Sequence, residues 1–125
     1  MHRAGTTIST WKSAYWHEGV ARGDGTVLHN APGIGEQVIP EWLFVGNSQF
    51  RVIEPPEGFD YVSFVSRVQQ RISNPRSYSL LSWNCQHTVS WVLTGKAESK
   101  QLQMYVLGAV ILTTGVAAIA YARKG

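Results

Sequence analysis

The chemistry of this chain has to come from Cys85, His17, His29 and His87, because no carboxylate pair or phosphate-binding loop competes with them. Cysteine reacts as its thiolate. A helix N-terminus and a nearby imidazolium can both favour that form over the free thiol, whose pKa lies near 8.5. Asn84-Cys85 reads as the start of a helix, which places the sulfur at the positive end of the helix dipole. The backbone N–H of Cys85 would be among the donors left unpaired there, available as half of an oxyanion hole. A lone cysteine at a helix start can equally be a small buried residue. His87 is closest in sequence but is not the partner base. Two positions along a helix correspond to roughly 200° of rotation, so His87 is expected to be a hydrogen-bonded structural residue.

The remaining two histidines flank Gly23-Asp24-Gly25, a strong hairpin signal. A two-residue turn would pair Val20 with His29 and send His17 to the opposite side of the sheet. A three-residue loop, built as a type I turn with Gly25 left-handed, would pair Arg22 with Thr26 and Gly19 with His29. His17 then becomes the diagonal neighbour of His29 on one face. Only the second register lets the two rings act together.

The elements that must hold these groups form a small α+β domain. Tyr15 to Arg22 and Thr26 to Asn30 read as the hairpin strands, followed by a loop at Ala31-Pro32-Gly33-Ile34-Gly35. Further short strands are expected at Trp42 to Val45 and Gln49 to Ile53, before Pro55-Pro56 interrupts the chain. Tyr61, Phe64, Val65, Val68 and Ile72 recur at helical spacing and predict an amphipathic helix closed by Asn74-Pro75. A second helix should run from Asn84-Cys85 to a C-terminal cap at Gly95. The expected result is a small antiparallel sheet with two packed helices.

The chain has 125 residues, enough for one modest core, and five Trp and five Tyr favour a folded domain. Its net charge of +3 has no focus beyond Arg67, Arg71 and Arg76, so no nucleic-acid partner is expected. A single cysteine excludes an intrachain disulfide, and no cofactor or metal is expected, as no ligand pair has zinc-like spacing. The first residues lack the apolar core of a signal peptide, so a cleaved leader is not expected.

From Gln101 to Ala122 no residue is charged. As a helix this stretch would cover roughly 30 Å, the thickness of a bilayer's hydrocarbon core. Tyr105 and Tyr121 lie near its ends, with Lys96 and Lys100 on one flank and Arg123 and Lys124 on the other. A domain over residues 1–100 followed by one transmembrane helix over 101–123 is therefore expected, with the domain on the cytosolic side. Ala109, Thr113 and Ala117 form a small-residue row suited to helix packing.

Two segments resemble the lecithin retinol acyltransferase family, also called NC-domain acyltransferases. His17-Glu-Gly-Val-Ala-Arg-Gly-Asp-Gly-Thr-Val-Leu-His29, followed by Ala31-Pro32, is similar to the family's two-histidine hairpin. Tyr78-Ser-Leu-Leu-Ser-Trp-Asn84-Cys85-Gln86-His87 is similar to its Tyr-x-Leu-Leu-x-x-Asn-Cys-Glu-His-Phe motif, with Gln86 and Thr88 standing where the family usually has Glu and Phe. The resemblance covers about Tyr15 to Gln101. It implies a circularly permuted papain-like domain in which Cys85 is the nucleophile, His17 the general base and His29 the polar third member. It further implies an acyl-thioester formed from a phospholipid and passed to water, an amine, a lysolipid or a retinoid. Two alternatives stay open: a cysteine peptidase or amidase of the NlpC type, and a non-catalytic, membrane-tethered module.

Overall fold

The computed structural model describes residues 1–109. The expected membrane helix falls largely on residues outside these. Residues 100–109 are helical, and among the described residues no helix is long and apolar enough to cross a membrane.

Five strands, β1 (Thr7–Trp11), β2 (Trp16–Ala21), β3 (Thr26–Ala31), β4 (Gly35–Pro40) and β5 (Phe50–Ile53), form one antiparallel sheet in the order β4-β3-β2-β1-β5. Three helices accompany it: α1 (Glu41–Val45), α2 (Tyr61–Ser73) and α3 (Cys85–Thr94). The α+β class and the small antiparallel sheet agree with expectation, as do the hairpin, β5, α2 and α3.

The hairpin takes the register that unites the histidines. Arg22 N–H donates to the Thr26 carbonyl at 3.0 Å, and Gly19 stands opposite His29. The turn type differs from expectation. Gly23 (φ 93°) and Gly25 (φ 86°) are both left-handed, whereas a type I turn would hold Gly23 near −60°. The three-residue length, not the turn type, sets the register.

The Trp42 to Val45 segment is helical, which corrects the expected strand. A short apolar run fits either state, and here the ends decide. Pro40 begins the turn with its fixed φ, and Gly46 (φ 52°) closes it. Phe44 alone is buried, while Trp42 and Leu43 face outward.

Each face of the sheet carries its own apolar cluster. On one face Val20 and Leu28 pack with Phe64 and Val68 of α2 and Val89 and Val92 of α3. On the other, Ile8, Ala21 and Val27 pack with Phe44 of α1. The amphipathic stripe of α2 is narrower than its sequence suggests. Phe64 and Val68 are buried with Arg71, whereas Tyr61, Val65 and Ile72 are exposed. Arg71 lies inside because its guanidinium covers the Trp91 ring at 4.8 Å and pairs with Glu36 at 3.5 Å.

Glu36 is a fully buried carboxylate whose partners come from several parts of the chain. It accepts from Arg76 N–H (2.7 Å), Trp83 Nε1 (3.2 Å) and Thr88 Oγ1 (2.7 Å) as well as Arg71. A buried charge is tolerated only when it is paired and hydrogen-bonded, and these donors meet that condition. They also tie β4 to α2, to α3 and to the segment leading into Cys85. Thr88 therefore replaces the expected aromatic with a hydroxyl that this carboxylate uses.

Candidate active site

Helix α3 starts on a complete capping box. Asn84 Oδ1 accepts from Gln86 N–H (2.9 Å) and His87 N–H (3.2 Å), while His87 Nδ1 accepts from Asn84 N–H (2.9 Å). His87 thus has the structural role expected of it, and its ring also stacks on Trp83. Asn84 Nδ2 donates to the Leu80 carbonyl (3.1 Å) and to Ser99 Oγ (3.0 Å). These bonds fix the turn that presents Cys85, the first helical residue.

Cys85 is 3% exposed. Its sulfur is faced by the backbone N–H groups of Glu18, Gln86 and Cys85 itself, all of which favour the thiolate. Burial outweighs them, and with the nearby Glu18 carboxylate it pushes the thiol up to about 11. The resting sulfur is therefore a neutral thiol at pH 7.

His17 and His29 are buried on neighbouring strands, with His17 Nε2 and His29 Nδ1 2.9 Å apart. Phe44 packs over both rings, with centroids 5.6 Å from His17 and 5.3 Å from His29. Gly19 makes room for it, since a Cβ there would lie 2.9 Å from two atoms of the Phe44 ring. Burial lowers both histidines from 6.5 to about 4, helped at His17 by the second ring and at both by Lys12. Both rings are therefore neutral at pH 7.

The sheet faces place a constraint on how sulfur and imidazole meet. The two rings lie on the Phe44 face, whereas α3 packs against the Val20–Leu28 face. Pairing between β2 and β3 ends at Gly19–His29, although both strands run on. The start of α3 lies beside this splayed end, where Glu18 N–H meets the sulfur. Cys85 is thus against the residue that follows His17. No hydrogen bond joins sulfur to imidazole, and His17 Nδ1 is buried without a partner.

Cys85 opens onto an apolar cleft of about 650 Å³, lined by Tyr15, Tyr78, Leu80, Leu81, Leu102 and Val106 among others. The histidines line a smaller depression of about 220 Å³, and Tyr15 and Pro32 border both. Tyr15 also meets His17 edge-on at 6.3 Å.

Two residues near the sulfur, Glu18 and Tyr15, are not among the candidates the sequence offers. Glu18 is a carboxylate on a buried strand, and charge in such a strand is itself a signal. Its Oε1 accepts from Gln86 Nε2 at 3.1 Å. Gln86 Oε1 in turn accepts from Ser99 Oγ (2.9 Å) and Gln101 N–H (2.9 Å). A glutamate at position 86 would set two carboxylates against each other, so glutamine here complements Glu18. Gln101 is bidentate on the Trp16 backbone, donating to its carbonyl (2.9 Å) and accepting from its N–H (3.2 Å). Tyr15 carries no sequence signal beyond its place at the start of the expected hairpin strand; in the structure it stands just before β2.

Among the described residues no cluster of His, Cys, Asp or Glu could hold a metal ion. No protein-family model matches the chain, and none of the curated proteins matches it.

Proposed function

We propose that the protein is a thiol acyltransferase or phospholipase-type hydrolase resembling the lecithin retinol acyltransferase family and its permuted papain-like fold. The observation that carries this is the hairpin register, which sets His17 beside His29 while Cys85 starts α3 against the adjacent Glu18 backbone. The apolar cleft beside the sulfur supports an acyl chain rather than a peptide as the bound group.

In this mechanism His17 Nδ1 takes the Cys85 proton as the sulfur attacks the ester carbonyl of a phospholipid. The backbone N–H groups of Cys85 and Glu18 then face the developing oxyanion. Collapse breaks the ester C–O bond, and the imidazolium returns its proton to the departing lysolipid hydroxyl. The acyl group is left as a thioester. Water or another acceptor gives its proton to His17, attacks the thioester and releases the thiol. Because both groups rest in their neutral forms, proton transfer accompanies attack; there is no standing thiolate–imidazolium pair. The apolar stretch from Gln101 onward would keep this domain at a membrane, on its cytosolic side.

The test is incubation with phosphatidylcholine labelled in its acyl chains. Label should appear on Cys85, be released by hydroxylamine, and be absent in Cys85→Ala. Release of products from muropeptides without a lipid adduct would identify an NlpC-type peptidase instead. No reaction with either substrate would leave a non-catalytic module.

A further inference from the structure

Gln37 stands directly opposite His29 in the β3–β4 ladder, and its Nε2 lies 3.0 Å from His29 Nε2. His29 Nδ1 faces His17 Nε2, and His17 Nδ1 has no partner. The three side chains thus form a line that ends on His17 Nδ1, the unpartnered nitrogen of the histidine pair.

A neutral imidazole carries one N–H and one lone pair, so each bond in this line dictates the next. With the Gln37 NH2 group toward His29, His29 Nε2 must accept, and its Nδ1–H donates to His17 Nε2. His17 is then protonated on Nδ1 and has no lone pair for a thiol proton. With the amide turned by 180°, Gln37 Oε1 accepts from His29 Nε2–H. His29 Nδ1 now accepts from His17 Nε2–H, and His17 Nδ1 carries the lone pair. The two amide orientations have similar shape but opposite consequences.

We infer that Gln37 is a positioning residue: its amide oxygen, turned to His29, fixes through that ring the His17 tautomer able to act as a base. The inference rests on the acyl-transfer function proposed above. The family motifs place no residue at this end of the line; the cross-strand pair supplies it.

The experiment combines side-chain ¹⁵N NMR of the histidines at pH 7.5 with acyl-transfer kinetics on labelled phosphatidylcholine. Wild-type protein should show His17 with a bare Nδ1 and a protonated Nε2. Gln37→Leu should give a mixed His17 tautomer population and reduce kcat about tenfold at unchanged KM. Gln37→Glu, which can only accept, should restore the single tautomer and the rate, and move the acid limb of the pH profile to higher pH. A wild-type His17 protonated on Nδ1, or a His17 tautomer indifferent to Gln37→Leu, would overturn the inference. The wild-type spectrum decides even where a variant fails to fold. Tautomers that respond as described, in a protein that never acylates Cys85, would instead refute the proposed function and leave the positioning role standing.

Discussion

Replacing Gly19 with alanine should destabilise the protein and disorder the histidine pair, although the change adds one methyl group. Gly19 does not use a left-handed backbone, so no conformational strain enters. The added Cβ would overlap the Val27 Cγ1 methyl and lie 2.9 Å from Cε2 and Cζ of Phe44. Overpacking of this kind costs about 1–3 kcal/mol. Alanine's smaller unfolded-state entropy returns about 0.4–1 kcal/mol, leaving a net loss of roughly 1–2 kcal/mol. Phe44 is also the cover over both imidazoles, so its displacement should change their ring environments. Urea unfolding followed by tryptophan fluorescence measures the first effect, and histidine NMR the second. The decisive comparison is a double-mutant cycle with Phe44→Leu, repeated with Val27→Ala. Relief of crowding should make at least one double variant more stable than the sum of its singles by about 1 kcal/mol. Additivity in both cycles, within about 0.5 kcal/mol, would show that the glycine serves some other purpose.

Two predictions concern ionisation. With the thiol pushed up to about 11, alkylation of Cys85 by iodoacetamide should be slow at pH 7 and climb about tenfold per pH unit to pH 10. Glu18→Gln removes the neighbouring negative charge and should speed alkylation at pH 8 several-fold; an unchanged or slower rate would contradict the electrostatic account. The histidine pair makes stability depend on pH. Unfolded histidines take up protons below about 6.5, whereas the folded rings do so only near about 4. The contribution of the pair to stability should therefore be flat above pH 6.5 and fall as pH drops from 6.5 to 4. Allowing for partial solvent screening, the pair should lose about 3–5 kcal/mol across that window. A urea midpoint that holds steady down to pH 4.5 in wild type would refute it.

How much could be read from the sequence depended on whether the deciding interaction was local. Gly23-Asp24-Gly25 narrows the hairpin to two registers without choosing between them, and the three-residue loop in the structure decides, whereas the caps at Asn84 and Gly95 follow from single residues with one dominant use. β1 was missed because Thr7-Ile8-Ser9-Thr10 looks polar, yet it lies between β2 and β5 and its residues are buried. Its β-branched content was the available clue. β4 was missed because Glu36 and Gln37 follow a Gly-Pro loop and carry no apolar alternation. The role of Glu36 comes from partners on α2 and α3, 35 and 52 residues away, and that of Gln37 from its cross-strand neighbour His29. The α1 segment was misassigned for the opposite reason, since its local sequence fits two states and its ends decide.

The bond pair between Gln101 and the Trp16 peptide lets a side-chain amide stand in for one rung of a strand. That rung is immediately before His17, and a second link through Gln86 reaches Glu18. A pull on the chain beyond residue 101 would thus be felt first at the base of the candidate catalytic strand rather than dissipated in a slack tether. In mechanical terms the helix that begins at residue 100 is coupled stiffly to the strand that carries His17 of the candidate site.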